Sequence, residues 1–367
     1  MDRDVIFKIG IVMVVLMTMF AGCVESGGPA NNTSTANNGS VTGNTTGNAN
    51  QSKAMKSSQQ RMKKIWSNLD PEVRNVLNKT EKATASISSY RYSLDTRINQ
   101  VMEVTRADGN LETEMQMNQS GEGAVNFDAR KSMQNLTQNT TIVKMEGNSS
   151  AFGQMLPGIG NETQNVVYLV NNTVYMKPPG QSVTTANGTQ NMTWMKMPGT
   201  YSRLWNKTNR INRQKSYLML SSNVKMLPEQ TVNGQKTYVL RSSPTPEEFK
   251  RHIRKHMSNV SFVNILQSNN IVIENITSTQ WISKKTYLPV KTDTHMTMSM
   301  TMNMPSKQGG NSTMTLNQDM NTSMTFSDFN SDINIQLPQE ARNNKTLSEM
   351  FNGSMGSYQR KGTGTLP

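Results

Sequence analysis

The sequence predicts a single α+β domain dominated by an antiparallel β-meander. From Tyr90 onward, apolar and polar residues alternate through most runs, as a strand with one buried face requires. Asn171-Asn172 and Asn233-Gly234 each separate two such runs, and these dipeptides favour two-residue hairpin turns. Before the strands, residues 56–88 carry apolar side chains at spacings of three and four, which predicts helix. Tight turns between successive strands make those strands antiparallel.

The predicted helices begin at recognisable N-terminal signals. Within residues 56–88, Asp70 and Pro71 supply an N-cap and a first-turn proline, so two helical pieces are expected to meet there. Thr245 and Glu248 have the spacing of a capping box. Further helices are predicted over residues 201–222, 245–257 and 345–351.

Composition divides the chain into four regions. Residues 1–22 place Lys8 before an apolar run that ends in small residues, the pattern of a signal peptide. Residues 23–55 consist largely of Asn, Thr, Ser and Gly and predict a disordered tether, because they cannot bury enough apolar surface to fold. The folded domain is expected over residues 56–345, and residues 346–367 are expected to form a short helix and a flexible tail.

Cys23 is the only cysteine, so it has no disulfide partner within the chain. The stretch Phe-Ala-Gly-Cys that ends at Cys23 resembles a lipobox, in which the cysteine becomes the lipid-bearing N-terminal residue after cleavage. Phe20 stands where leucine is usual, and Asp2 and Asp4 leave the N-terminal region barely positive, so an uncleaved anchor is the alternative. Either way, the sequence predicts attachment to a membrane.

Acceptor sequons for N-glycosylation are frequent throughout the chain, and they function only outside the cytoplasm. An Asn-, Ser- and Thr-rich composition is the competing explanation. The candidate sites are Asn31, Asn38, Asn44, Asn50, Asn148, Asn161, Asn187 and Asn311. With the lipobox and the oxidation-sensitive methionines, they suggest an extracytoplasmic, archaeal cell surface.

The net charge of +13 raises the question of an anionic partner. The densest basic runs, residues 53–64 and 250–256, lack the interleaved aromatic residues that stack nucleic-acid bases. We therefore expect no nucleic-acid binding, although weak attraction to an anionic membrane surface stays open.

Candidate catalytic and metal sites are few. His252 and His256 lie four residues apart on a predicted helix, but Arg254 and Lys255 between them disfavour a divalent cation. The chain has no Gly-x-Ser-x-Gly motif, no glycine-rich phosphate loop and no paired carboxylates in a catalytic pattern. The sequence predicts neither an enzyme nor a cofactor.

The most unusual stretch is HMTMSMTMNM at residues 295–304, in a chain with 29 methionines. In an extended strand these methionines lie on one face, about 6.6 to 7 Å apart. The ladder consists of Met296, Met298, Met300, Met302 and Met304, and a second set of the same parity consists of Met314, Leu316, Met320, Met324 and Phe326. If the two strands are neighbours, they form one thioether-rich face.

Three interpretations of this face are open. Unbranched, polarisable side chains suit a deformable lining for an apolar ligand. Met296, Met298 and Met300 form a Met-x-Met repeat, whose soft thioethers could bind Cu(I). The face could also be ordinary core. Because methionine recurs in nearly every predicted strand, the ladder is the local maximum of a general tendency, which favours the lining over a dedicated copper site.

Several strand and turn motifs together resemble LolA-type lipoprotein carriers and the LppX/LprG-like lipid-binding lipoproteins, over about residues 56–345. The most specific is WISKKTYLPVK at residues 281–291, with Trp281 and Pro289 in a basic hairpin. The others are VVYLVNNTVYMK at 166–177, WMKM at 194–197, VNGQKTYVL at 232–240, MTFSDFN at 324–330 and LPQEA at 337–341.

The resemblance implies an unclosed, strongly curved antiparallel sheet of about eleven strands, with helices on its concave face and an apolar cavity between them. It also implies binding of acyl chains, from a lipid or an acylated protein cargo, for transport or sensing. No ligand-binding residue carries over from the resemblance. A structural envelope lipoprotein that binds nothing is the remaining alternative.

Overall fold

The structure is a computed structural model. It describes residues 67–106, 109–147, 162–177, 182–185, 188–191, 194–198, 211, 218, 221–249, 271–305 and 311–343. Helix α1 spans Pro71–Ala85 and helix α2 spans Gln339–Arg342, and residues 211, 218 and 246–249 are also helical. The strands are β1 Ser89–Arg106, β2 Gly109–Asn126, β3 Lys131–Gly147, β4 Glu162–Val170, β5 Thr173–Lys177, β6 Ser182–Thr185, β7 Gly188–Asn191, β8 Met195–Pro198, β9 Val224–Val232, β10 Gln235–Ser242, β11 Ile271–Ser283, β12 Pro289–Pro305 and β13 Asn311–Ser327.

Eleven of these strands form one sheet in the order β8-β5-β4-β3-β2-β1-β13-β12-β11-β10-β9, and β6 and β7 form a separate pair. Every neighbouring pair in the large sheet is antiparallel. Strand β1 lies at the centre, between β2 and β13, while β8 and β9 are the two edges. The predicted fold class, an α+β domain with an unclosed, curved antiparallel sheet, is confirmed.

Two predicted hairpin turns are present, for the conformational reason expected. Asn171 and Asn172 have φ of 50° and 60°, and Asn233 and Gly234 have φ of 48° and 76°. Two consecutive residues with positive φ match the right-handed twist of the flanking strands, and Asn and Gly tolerate that conformation best. These turns fix the register of β4 with β5 and of β9 with β10.

Helix α1 begins where the sequence predicts. The Asp70 carboxylate accepts a hydrogen bond from the Glu72 backbone N–H at 2.8 Å, and Pro71 occupies the first turn. The predicted helical piece before Asp70 lies outside the described residues, apart from its last three positions, which form a turn. The buried side of α1 packs on strands β9, β10 and β11, mainly through Val73, Val76 and Leu77.

The capping box at Thr245 is also confirmed. The Glu248 carboxylate accepts from the Thr245 N–H at 2.8 Å, and the Thr245 hydroxyl accepts from the Glu248 N–H at 3.2 Å. The rest of that helix lies outside the described residues, as does the helix predicted over 345–351. Of the helix predicted over 201–222, Ile211 and Leu218 are helical and the other residues before Ser221 lie outside the described residues. Its predicted end is too late, because Ser221 turns the chain into β9 by accepting from the Asn223 N–H at 3.0 Å.

Two glycines in β2 lie where the neighbouring strands leave no room for a side chain. A Cβ on Gly123 would lie 2.7 Å from the Met133 carbonyl oxygen and would overlap the Tyr92 ring. A Cβ on Gly121 would lie 2.6 Å from the Leu136 side chain. Glycine inside a strand permits this close approach, at the cost of a side chain that could pack there.

A segment near the C-terminus covers part of the other side of the sheet. We call residues 330–337 the C-terminal strap. Its Asn330 N–H donates to the Ser89 carbonyl at 2.9 Å, and the Asn126 amide donates to the Ile333 carbonyl at 3.0 Å. Ile333 and Ile335 pack against Ala124, so the domain has a second, smaller core on this face.

Candidate functional site

The face of the sheet that carries α1, here called the inner face, holds the methionine ladder. Met296, Met298 and Met300 on β12 are 1%, 5% and 0% exposed. Met302 is half-buried, and the side chain of Met304 lies outside the described set. The ladder therefore points into the protein in the orientation that its period-two spacing predicts.

The second predicted set lies on the neighbouring strand. In the register of β12 with β13, Met296 is opposite Met320, Met300 is opposite Leu316, and Met302 is opposite Met314. Strands β1 and β2 continue these rows with more apolar side chains. We call the resulting buried surface the methionine half; it comprises Ile98, Met102, Val104, Leu111, Met115, Met117, Met296, Met298, Met300, Met314, Leu316 and Met320.

Met324 and Phe326 share the inner face but belong to a different region of it. Both pack in a cluster with Tyr90, whose ring centroid lies 6.0 Å from that of Phe326. A neighbouring cluster contains the buried side of α1. We call this region the helix-covered half; it comprises Val73, Val76, Leu77, Tyr90, Tyr92, Leu94, Ile211, Leu218, Leu240, Ile282, Met324 and Phe326.

A row of buried polar side chains separates the two halves. The Thr96 and Thr322 hydroxyls are 3.2 Å apart, and the Thr294 hydroxyl donates to that of Ser278 at 3.4 Å. The row crosses six strands in register, and we call it the polar belt: Ser242, Ser278, Thr294, Thr322, Thr96 and Gln119. Each member is no more than 9% exposed. The inner face is therefore not uniformly apolar.

Three polar side chains also interrupt the methionine half: Gln318, Gln100 and Thr113. Gln318 lies opposite Met298 on one side and Gln100 on the other. Gln318 is 5% exposed, and its Oε1 has no hydrogen-bond partner among the described residues. The Thr113 hydroxyl, one row further along the sheet, also has no hydrogen-bond partner among the described residues. A buried polar atom without a partner costs about 1–3 kcal/mol.

Sequence reasoning missed the belt and the glutamines, although the signal is present in β1. Residues 94, 96, 98, 100 and 102 read Leu, Thr, Ile, Gln and Met, all in one period-two phase. The polar members have the parity of the buried positions. Only the register shows that those of neighbouring strands align into a row.

The hairpin that carries the most specific motif is held by polar contacts of its own. The Trp281 indole N–H donates to Gln230 Oε1 at 2.7 Å, and the Lys291 ammonium lies 4.6 Å from the centre of the Trp281 ring. Trp281 also packs with Val239 and Val290. These contacts give the motif a structural role at the β9–β12 side of the sheet.

Two tyrosines beside this hairpin have shifted pKa values. The rings of Tyr238 and Tyr287 stack with centroids 5.9 Å apart. The Lys79 ammonium donates to the Tyr287 oxygen at 3.1 Å, and this hydrogen bond lowers the pKa of Tyr287. The hydrogen bond with Tyr287 raises the pKa of Tyr238. The cluster joins α1 to the hairpin.

The third histidine, His295, lies on the outer face of the sheet, opposite to the inner face. His295 Nε2 lies 2.8 Å from an Asp319 carboxylate oxygen, and the Asn321 amide donates to the other oxygen of Asp319 at 2.9 Å. Among the described residues, no group of three or more His, Cys, Asp or Glu side chains is arranged to hold a metal ion. His252 and His256 lie outside the described residues.

The predicted modification sites lie almost entirely outside the described residues. This applies to Cys23 and to every glycosylation candidate except Asn311, which begins β13. Within the described part of the chain, no helix has the length and apolar character needed to cross a membrane. Lipid attachment and glycosylation stay predictions.

Comparison with solved structures finds several lipoproteins. LprF from Mycobacterium bovis is 13% identical, with coverage of 73% of this chain and 98% of that chain and a TM-score of 0.34. Lipoprotein LppX from Mycobacterium tuberculosis is 9% identical, with coverage of 73% and 100% and a TM-score of 0.28. A putative outer membrane lipoprotein-sorting protein domain from Vibrio parahaemolyticus is 12% identical, with coverage of 71% and 95% and a TM-score of 0.19.

All three TM-scores are too low for these likenesses to bear on the fold or function of this chain. No curated protein sequence matches it. A sequence family described as a family of unknown function, DUF6612, matches residues 72–346, which include most of the described sheet. The chain belongs to the DUF6612 family.

Proposed function

We propose that this protein is a membrane-anchored, extracytoplasmic lipoprotein that binds acyl chains, of a lipid or an acylated protein, between its curved sheet and helices. The observation that carries the proposal is the methionine half: a buried surface spanning β12, β13, β1 and β2 and rich in thioethers. Methionine has three rotatable side-chain bonds and a polarisable sulfur, so it adapts to partners of different shape.

The energetics of such a surface suit an acyl chain. Burial of one methylene group contributes about 0.8 kcal/mol, so a ten-carbon segment contributes roughly 8 kcal/mol before the entropy cost of association. Met296, Met298 and Met300 are almost fully buried, so binding requires them to change rotamer and to make room for the acyl chain. Unbranched side chains do this at lower cost than valine or isoleucine.

The N-terminal region supports the location of this activity. A lipid on Cys23 would hold the protein at the membrane, and a tether of about 30 residues has a root-mean-square span on the order of 30 Å. That reach allows the domain to approach the bilayer that would supply or receive an acyl chain. The net charge of +13 would favour an anionic membrane surface.

The test is native mass spectrometry of the full chain, purified from membranes in detergent, combined with extraction of its bound lipids. We expect adducts with the mass of acyl lipids that survive removal of the detergent. The control variant Met296→Glu introduces a charge into the methionine half and should abolish the adducts, while its circular dichroism spectrum shows whether the sheet is retained. A wild-type chain that is repeatedly free of lipid would overturn the proposal.

Cu(I) binding is a second candidate, favoured by one observation. Met296 is directly opposite Met320, and Met298 follows on the same face, so three thioethers lie on adjoining strands. Directly opposite residues have Cβ atoms about 4.5–5.5 Å apart, within reach of one metal ion. Competition against a Cu(I) chelator tests it, and no affinity tighter than about micromolar would exclude it.

A further inference from the structure

The position of Gln318 deepens the proposed function, on which the following inference rests. We propose that the ligand is an amphiphile that carries a hydroxyl or amide hydrogen-bond donor. The donor binds Gln318 Oε1, while the apolar chain lies along the methionine rows. A purely hydrocarbon ligand, or one whose polar groups only accept hydrogen bonds, is then disfavoured.

Three of the four inner-face positions beside Gln318 are apolar, and the fourth is Gln100, which lies opposite it on β1. Leu316 and Met320 flank it along β13, and Met298 lies opposite it on β12. All three are buried, so water does not solvate the amide from these directions. A side-chain carbonyl oxygen only accepts hydrogen bonds, so the group that completes Gln318 must be a donor.

Four members of the polar belt show by contrast what a structural role would look like, although the hydroxyl of another member, Ser242, has no partner among the described residues. Thr96 and Thr322 are directly opposite each other, and their hydroxyls pair at 3.2 Å. Thr294 pairs in the same way with Ser278. Gln318, two rows from the belt and about 13 Å along the strand, has an oxygen without such a partner among the described residues.

Thr113 supplies a second polar contact within the same surface. It lies on β2, one row beyond Gln318 and two strands away, roughly 12 Å from it by the spacing of strands and residues. Its hydroxyl is fully buried and also lacks a partner among the described residues. Because a hydroxyl both donates and accepts, Thr113 can serve a second polar group on the same ligand.

A site with a buried acceptor discriminates strongly between ligands. A ligand with the donor completes the hydrogen bond, whereas an analogue without it leaves the acceptor buried and unpaired. We therefore expect a long-chain primary alcohol to bind about tenfold more tightly than its methyl ether, which has the same chain but no donor.

The test uses the full chain in detergent with an equimolar mixture of the alcohol and the ether, whose complexes are resolved by native mass spectrometry. We expect the alcohol complex to exceed the ether complex about tenfold. Gln318→Met, which matches its neighbours and removes an unpaired amide, should fold and should bring the ratio close to one. The matched control is Gln116→Met on the outer face of β2, which should keep the wild-type ratio.

The outcomes separate this inference from the proposed function. Equal binding of alcohol and ether to the wild-type chain would overturn the inference and leave acyl binding intact. A preference for the alcohol that survives Gln318→Met would also overturn the inference, because the donor would then be recognised elsewhere. Binding of neither probe would overturn the proposed function and the inference together.

Discussion

The two halves of the inner face are built from different kinds of side chain. The helix-covered half uses rings and branched residues: Tyr90 lies near four other aromatic rings, at centroid distances of 6.0 to 6.3 Å. The methionine half has the same sheet geometry and similar burial, but its side chains are mostly unbranched thioethers. Side-chain flexibility is therefore the property that changes across the polar belt.

That difference indicates that the two halves of the inner face have different roles. Aromatic and branched side chains have few rotamers and define one packing arrangement, whereas methionine tolerates several. A domain that must hold its shape while admitting ligands of varied shape needs both properties, in separate places. We therefore expect substitutions in the helix-covered half to change the stability of the domain, and substitutions in the methionine half to change ligand binding.

The largest expected effect is in the aromatic cluster. Tyr90→Ala should lower the free energy of unfolding by about 3–5 kcal/mol, because it leaves a cavity where a fully buried ring contacts other rings. Urea denaturation of the full chain measures the loss. A loss below about 1 kcal/mol would show that the aromatic cluster does not hold this half in one packing arrangement.

The glycine positions of β2 should be the next most sensitive feature. Gly121→Ala should destabilise by about 1–3 kcal/mol, since the added Cβ would overlap the Asn135 carbonyl oxygen and approach Leu136. Gly234→Ala is the contrasting variant, because nothing lies within 4 Å of its Cβ position and only its positive φ opposes the change. If Gly121→Ala were the milder of the two, the close approach of β2 and β3 would not matter for the fold.

Removal of the Thr245 cap should have a moderate effect. Thr245→Ala should cost about 1 kcal/mol by thermal or urea unfolding, and Thr245→Ser should restore most of it. Burial opposes the charge on Glu248, but hydrogen bonds from Thr245 and Ser222 outweigh it and lower the pKa of that carboxyl.

The lowered pKa also determines the pH dependence. A carboxyl with a lower pKa in the folded state stabilises the protein above its unfolded pKa, and that contribution is lost as the pH falls through the folded pKa. Glu248→Gln should therefore flatten the acid side of the stability profile, whereas Thr245→Ala keeps the backbone N–H that donates to Glu248 and should flatten it less. An unchanged acid limb would show that the hydrogen bonds to Glu248 do not act as described.

The smallest expected change in stability is in the ladder. Met300→Leu conserves volume and should cost less than about 1 kcal/mol, in the lower part of the range for such substitutions. It should nevertheless narrow the range of acyl ligands that bind, as native mass spectrometry with a series of chain lengths would show. An unfolded Met300→Leu protein would mean that the methionine half is a specifically packed core.

Local patterns predicted the strands, hairpins and caps, because each depends on residues close together in sequence. Period-two spacing also predicted that the ladder faces inward and lies beside the second methionine set. It did not predict that Met324 and Phe326 belong to another cluster, because that cluster is completed by residues far away in sequence, such as Tyr90, Leu136 and Ile211.

Features that depend on register across several strands could not be read from single runs. The polar belt is one, and the C-terminal strap is another, because Ile333 and Ile335 cross the outer face without joining the sheet. Their partners, such as Ala124, are about 200 residues earlier in the chain, where no local pattern connects them.

The most direct test of the two-half account is an NMR spectrum of the full chain in detergent with carbon-13 labelled methionine methyl groups, recorded during titration with a long-chain alcohol. Single Met→Leu variants assign the resonances. The account predicts that the methyl signals of Met296, Met298 and Met300 shift, while that of Met324 stays in place. Shifts at Met324 with an unmoved ladder, or no shifts at any of the four, would contradict it.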